Sequence, residues 1–432
     1  MNKISFVSRL RITVLAIIIP IITQAQVKPG IEVLLTEQND LVRGKRVGLI
    51  TNPTGVTSEL VSTIDALHSH PDVKLVALFG PEHGVRGDVF AGEYVADTID
   101  TRTGIPAFSL YGKNRAPTPE MLRDVDILIY DIQDIGSRAY TYIYTMALSM
   151  QAAAKQGIPF VVLDRPNPLG GELIEGPILD ERFKSFIGLY PIPYIYGLTA
   201  GELAKYFNEE YQFGANLIVV PMRGWRRYML FEETRLPWVP TSPHVPHAQT
   251  VFHIAATGCM GELSAVNEGV GYTLPFELLG HTWIDGPQLA AELNAQKLPG
   301  VFFRPLHYRP YYFGHKDMQL AGVQIHLTAP QIFRPMLTQL YILAALLKLY
   351  PNQNIFNPAR VKSFDQAMGT DSVRIRLARG ESPAKIYLSW NETLDEYREK
   401  RKRYLLYDDF APEQDSSKVK SPNRTKTQGK KR

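Results

Sequence analysis

A single cysteine, Cys259, in 432 residues leaves no internal disulfide to be made. The fold must therefore rest on a packed core, which a chain of this length is able to build. The setting of that cysteine, AATGCMGEL, is small and apolar and suits a buried, inert thiol better than a nucleophile. Beyond the first 25 residues no stretch approaches the roughly 18 consecutive apolar residues of a membrane-spanning helix. G-x-G-x-x-G does not follow the first apolar strand; TNPTG stands in its place and argues against a dinucleotide site. G-x-S-x-G and H-E-x-x-H are missing as well, and with them the serine-hydrolase elbow and the helical zinc motif. Nor is there a basic stripe interleaved with aromatics, so no nucleic-acid partner is expected.

The net charge of +4 belongs to the two ends. Lys3, Arg9 and Arg11 precede an apolar run, Ile12–Ile22, and a small-residue site, Thr23-Gln24-Ala25. That is the pattern of a secretory signal peptide over residues 1–25, with a mature start near Gln26. The expected location is periplasmic or secreted, with no stable membrane insertion after cleavage. The final segment, 411–432, is rich in Ser, Pro and Lys and reads as a disordered basic tail. Removing +3 at the front and +5 at the back leaves the globular part at −4.

Between these ends the first half alternates regularly. Strands are expected at 46–50, 73–79, 105–110, 126–131 and 159–164, with helical spacing at 58–70, 119–124 and 140–156. Continuous apolar strands joined by helices imply an α/β domain with a parallel sheet covered on both faces. The second half is less regular, with strands at 216–222, 301–308 and 319–328 and helices at 287–296, 331–350 and 383–407. It reads as a second, smaller α/β domain. The expected division is 26–185 for the first domain and 186–410 for the second, the latter completing the cleft.

Each strand of the first half runs into polar residues at its C-terminal end: Asn52; Glu82 and His83 in LFGPEHGVRG; Tyr111; Asp131, Asp134 and Arg138; Asp164, Arg165 and Asn167. In an open parallel sheet these ends share one edge, where ligands bind. From the second half come Glu262, Glu268 and Tyr272. Carboxylates dominate, and three hydrolytic chemistries fit such a list. Metal-dependent hydrolysis would draw on His83, Asp131, Asp134, His244 and His247, but their spacing is not that of a known ligand motif. Serine hydrolysis lacks its elbow. Glycoside hydrolysis needs one carboxylic acid for the leaving oxygen and usually a second carboxylate. Tyr140, Tyr142, Trp225, Trp238 and Tyr272 would suit the apolar face of a sugar, or else core packing. A carbohydrate-binding protein without catalysis is the non-enzyme alternative.

Five segments, GKRVGLITNPTGV, LFGPEHGVRG, ILIYDIQDIGSRAYTYI, VVLDRPNPLGG and YTLPFE, in this order, resemble the exo-β-N-acetylmuramidase (NamZ-type) family. The resemblance implies a Rossmann-like N-terminal domain, a smaller α/β C-terminal domain, and no metal or organic cofactor. It implies release of terminal N-acetylmuramic acid from peptidoglycan-derived sugars or muropeptides. Glu82, in the GPEHG motif, becomes the leading catalytic residue and expected general acid. Asp131 is the first choice as its partner and Glu268 the second. Arg86, Arg138 and Arg165 are candidates to grip the lactyl carboxylate. Asn52 and Asn167 would bond hydroxyls or the acetamido group, Tyr140 and Tyr272 would pack on the ring, and His83 would position the glutamate loop. Two departures from the family pattern concern substrate preference. Val270 stands where an arginine is usual, and Ser242-Pro243-His244-Val245-Pro246 replaces an S-P-N-M-P segment.

Overall fold

The computed structural model describes residues 26–87 and 97–407; the segments expected as a signal peptide and a basic tail lie outside the described residues. The strands β1 (Arg46–Thr51), β2 (Lys74–Gly80), β5 (Ile127–Asp131) and β6 (Phe160–Leu163) are largely apolar between their ends and mostly buried, so helices and loops cover both their faces. With β3 (Thr98–Ile99), β4 (Pro106–Ser109) and β7 (Leu217–Val220) they form a seven-stranded sheet in the order β3-β4-β2-β1-β5-β6-β7, parallel except for the short edge strand β3. The strand β4 (Pro106–Ser109) pairs with β2. The helices α2 (Thr63–Ser69), α3 (Tyr142–Lys155) and α4 (Ala200–Glu210) make the crossovers after β1, β5 and β6. α4 opens with a capping box in which Thr199 and Glu202 satisfy each other's backbone N–H groups.

The strand expected at 216–222 forms as β7 (Leu217–Val220), but it pairs in parallel with β6. The first sheet therefore runs past residue 185. Its fully apolar sequence could have served either domain, and only the pairing decides. At 119–124, where a helix was expected, the chain makes tight turns. There the Arg123 and Val125 N–H groups donate to the carbonyls three residues back, of Glu120 and Leu122, as in turns.

The second sheet is antiparallel, with β8 (Leu278–His281), β10 (Leu320–Leu327) and β9 (Val301–Tyr308) in the order β8-β10-β9. The helices α5 (Thr250–Gly261), α6 (Gly286–Ala295) and α7 (Pro335–Leu349) complete this part with it. The C-terminal helix expected over 383–407 breaks at Ser389 and Trp390 into α10 (Pro383–Leu388) and α11 (Asn391–Arg401), preceded by α8 (Val361–Met368) and α9 (Ser372–Ala378). One continuous hydrophobic cluster joins Tyr130 and Ile143 of the first part to Leu279 and Leu343 of the second.

The C-terminal segment is also tied to the first part by polar contacts. The Tyr387 hydroxyl donates to Glu175 at 2.6 Å, the Tyr397 hydroxyl to the Tyr196 carbonyl at 3.0 Å, and the Tyr407 hydroxyl to Asp164 at 2.8 Å. Arg401 donates to the carbonyls of Gly171 and Gly197. Hydrogen bonds of this kind contribute roughly 1 kcal/mol each and about 1.5 to 3 kcal/mol where a charge is involved.

Candidate active site

In the sheet order the chain leaves β1 towards β2 on one side and later fills the other side with β5. The crevice at such a switch point lies beyond the C-terminal ends of these strands. The loop after β2 carries Glu82 and His83. It turns tightly, with the Gly84 N–H donating to the Pro81 carbonyl at 3.0 Å and with His83 and Gly84 at φ 73° and 76°. Gly80 has no room for a Cβ, which would lie 2.9 Å from the Val85 nitrogen, because the loop folds back over the strand end. A Cβ on Gly87 would fall 2.5 Å from the Pro53 ring, so this loop also packs on the one after β1. These close approaches account for the glycines of LFGPEHGVRG.

The four sheet-edge carboxylates differ sharply. Asp131 is fully buried beneath Arg165, whose Nε and Nη2 donate to it at 2.5 and 2.9 Å, and it accepts from the Thr63 hydroxyl at 2.5 Å. Asp164 is fully buried and accepts from the Thr199 hydroxyl, the Gly201 N–H and the Tyr407 hydroxyl. Asp134 accepts from the Tyr196 hydroxyl and the Gly136 N–H. Burial pushes both Asp134 and Asp164 up to about 6. Glu82 alone of the four is partly exposed. The Thr141 hydroxyl donates to it at 3.4 Å, and its charge adds to burial in raising the Tyr111 phenol.

The three candidate arginines are engaged within the protein. Arg165 is committed to Asp131. Arg138 is completely buried and donates to the carbonyls of Pro177, Ile192, Ala367 and Met368. It thus pins the start of the α3 segment to α8 and does not line the crevice. Arg86 pairs with Asp100 at 2.8 and 3.0 Å and lies 3.6 Å from Asp65. Its hydrogen bonds hold the Asp100 carboxyl down at about 2. Asn52 and Asn167 are buried turn builders. Asn52 accepts from the Thr54 N–H and hydroxyl, while Asn167 accepts from the Leu169 N–H and donates to the Leu198 carbonyl.

A second wall comes from the loop 239–247. The Tyr140 hydroxyl donates to the Thr241 hydroxyl at 2.9 Å, and the Tyr142 hydroxyl to the Thr241 carbonyl at 2.6 Å. Trp238 donates to the Val245 carbonyl at 3.1 Å, which fixes the loop from behind. Burial first, and then the neighbouring His83, lower the His244 pKa. On its other side His244 stacks on Tyr312 with ring centres 6.1 Å apart. Tyr312 sits with exposed Tyr311 and Phe313 in the β9–β10 loop. Three non-glycine residues of that loop, Phe313, His315 and Asp317, adopt left-handed conformations, a strain that concentrates at functional sites.

The loop is seated by the turn that carries Glu268. The Tyr311 N–H donates to the Gly271 carbonyl at 2.9 Å, and a Cβ on Gly271 would lie 2.2 Å from the Tyr312 carbonyl. Contacts thus run from the Glu82–His83 loop through His244 and Tyr312 to the turn of Glu268. Burial first, and then the neighbouring Glu262, raise Glu268 to about 7. Tyr272 packs on Tyr308 and Tyr311 at 5.4 and 6.0 Å. Trp225 is a core residue, edge-on to Tyr407. Cys259 is buried, and burial pushes its thiol up to about 12. Among the described residues no group of three or more His, Cys, Asp or Glu side chains converges as a metal ion would need.

Models of the exo-β-N-acetylmuramidase NamZ N-terminal and C-terminal regions match residues 47–249 and 256–407. The chain belongs to the NamZ family. It is accordingly a glycosidase. It is 48% identical over 382 residues to the peptidoglycan β-N-acetylmuramidase NamZ of Bacillus subtilis (strain 168), covering 88% of this chain and 92% of that protein. Two crystal structures of DUF1343 family proteins from Bacteroides fragilis NCTC 9343 resemble it. One has a TM-score of 0.84 at 45% identity, covering 89% of this chain and 99% of that one. The other has a TM-score of 0.71 at 28% identity, covering 89% and 100%. The gap between the matched NamZ regions, 250–255, falls in the first half of α5, consistent with β7 belonging to the first sheet.

In this NamZ-family chain two hydroxyls stand beside Glu82: that of Tyr111, already expected at a strand end, and that of Thr141, one residue ahead of α3, which sequence reasoning passed over. The position of Thr141 just before a helix was the available signal. Val270, at the site of the usual arginine, is buried, and its carbonyl accepts from Asn267 at 2.9 Å.

Proposed function

We propose that the chain removes N-acetylmuramic acid from the non-reducing ends of peptidoglycan fragments, with Glu82 as the proton donor to the departing oxygen. The observation that carries this is the contrast at the sheet edge. Glu82 is partly exposed and flanked by the Tyr111 and Thr141 hydroxyls, whereas Asp131, Asp134 and Asp164 are buried under internal partners. The activity named for the Bacillus subtilis relative supports the substrate class. Glu268 supplies the second carboxyl group in place of Asp131. In its ionised form it takes a proton from the attacking water or from the acetamido nitrogen of the sugar. A carboxyl raised to about 7 then makes turnover climb with pH through that value. The leader of Lys3, Arg9, Arg11 and an apolar run supports export to the cell envelope, which N-terminal sequencing of the mature protein tests.

Two substrates separate the roles. On an N-acetylmuramyl disaccharide, whose leaving group needs a proton, Glu82→Gln should lose about a thousandfold in kcat. On an activated aryl N-acetylmuramide, whose leaving group departs unaided, the same variant should retain a much larger fraction. Glu268→Gln should suffer equally on both and lose the pH limb near 7. Equal losses for Glu82→Gln on both substrates would remove it from the acid role.

A further inference from the structure

N-acetylmuramic acid differs from N-acetylglucosamine by a lactyl ether that carries a carboxylate. An enzyme selective for it needs a cation beside the reacting carboxyl group, and Arg86, Arg138 and Arg165 are all committed elsewhere. Arg115 is not. It is exposed, and it forms no ion pair or hydrogen bond with any described residue. Its guanidinium carbon lies 3.6 Å from the centre of the Phe186 ring and 5.7 Å from that of Tyr111. Phe186 is anchored against Tyr144 of α3, with ring centres 6.4 Å apart. Tyr111 is the phenol beside Glu82, and Arg115 lowers its pKa while Glu82 raises it. The cation and the carboxylate thus act on the same phenol. A guanidinium held over an aromatic ring keeps N–H donors free at its edge for a bidentate carboxylate contact.

Resting on the glycosidase reading above, we propose that Arg115, held over the ring of Phe186, binds the lactyl carboxylate and sets the preference for muramic over glucosamine sugars. Phe186 and Tyr111 act as positioning residues. They restrict the guanidinium before substrate arrives, so less side-chain entropy is lost on binding.

Calorimetric binding of free N-acetylmuramic acid, with N-acetylglucosamine as control, tests this without depending on turnover. Arg115→Ala should weaken the acid sugar roughly 10- to 150-fold, the range for a hydrogen-bonded charge contact, and leave the neutral sugar unchanged. Arg115→Lys should recover part of the loss, because it restores charge but not the planar fork. Amidating the lactyl carboxylate should cost the wild type as much as the Ala variant loses and cost that variant nothing further. Unchanged affinity in Arg115→Ala, equal loss for both sugars, or no binding of the acid sugar by wild type would each overturn the proposal. Selective binding by Arg115 without release of the sugar from glycosides would instead overturn the role given to Glu82.

Discussion

Asp131 and Glu82 leave neighbouring parts of one sheet edge, from β5 and from the loop after β2, and end in opposite surroundings. Asp131 meets a bidentate arginine and a threonine hydroxyl and is completely enclosed. Glu82 meets hydroxyls at the lip of the crevice. A buried charge needs a matched partner, and once matched it belongs to the scaffold. The same holds for Asp164, whose acceptors bind α4 and the C-terminal Tyr407, and for Arg138, which is spent on four backbone carbonyls. Polar residues at a ligand-binding edge are therefore divided between holding the loops together and meeting the ligand.

The largest effects should fall on the two sides of that contrast. Glu82→Gln should cost about a thousandfold in kcat on the disaccharide while the denaturant midpoint stays at the wild-type value. A large fall in the midpoint would place Glu82 with the scaffold. Asp131→Ala strands Arg165 as a buried cation and should cost about 3 to 5 kcal/mol of stability by denaturant unfolding. Stability within about 1 kcal/mol of wild type, together with lost turnover, would move Asp131 back into the chemistry.

Glu268 sharpens the comparison through pH. It holds its proton up to about 7, against an ordinary 4.5. Between those values the folded chain binds more protons than the unfolded one, so the stability this residue contributes is complete at low pH and falls as pH rises towards 7. Glu268→Gln should remove that decline and gain on wild type by about 2 to 3 kcal/mol between pH 4 and pH 8. Parallel stability curves would show that the carboxyl is hydrated in solution. The smallest effect belongs to the exposed loop between β9 and β10. Phe313, 73% exposed, contributes little to the fold. Phe313→Ala should raise KM for the disaccharide a few-fold through lost stacking on the second sugar, with unchanged stability and no effect on methyl N-acetylmuramide.

Much of the first sheet was legible because its strands are short, apolar and bounded by turn residues; β1, β2, β5 and β6 form within a residue or two of where they were expected. α5 was not, since TVFHIAATGCMG is apolar around most of its circumference and a buried helix has no polar face to set a period. Of the candidate site, the loops that gather at the crevice were legible, and so was Glu82 within its motif. The division among the arginines was not. Arg138 acts on carbonyls up to 230 positions away, and Arg115 carries no motif.

The sequence by itself determined the α/β class, the strands of the parallel sheet, the edge at which polar loops collect and the family, because apolar periodicity and turn chemistry are local properties of the chain. Tertiary structure alone decided that β7 joins the first sheet, which carboxylates are sealed beneath cations and hydroxyls, and which arginine lies over Phe186 with no ion pair among the described residues. Those outcomes depend on burial and on partners brought together from distant parts of the chain, and ionisable groups take their character from such partners.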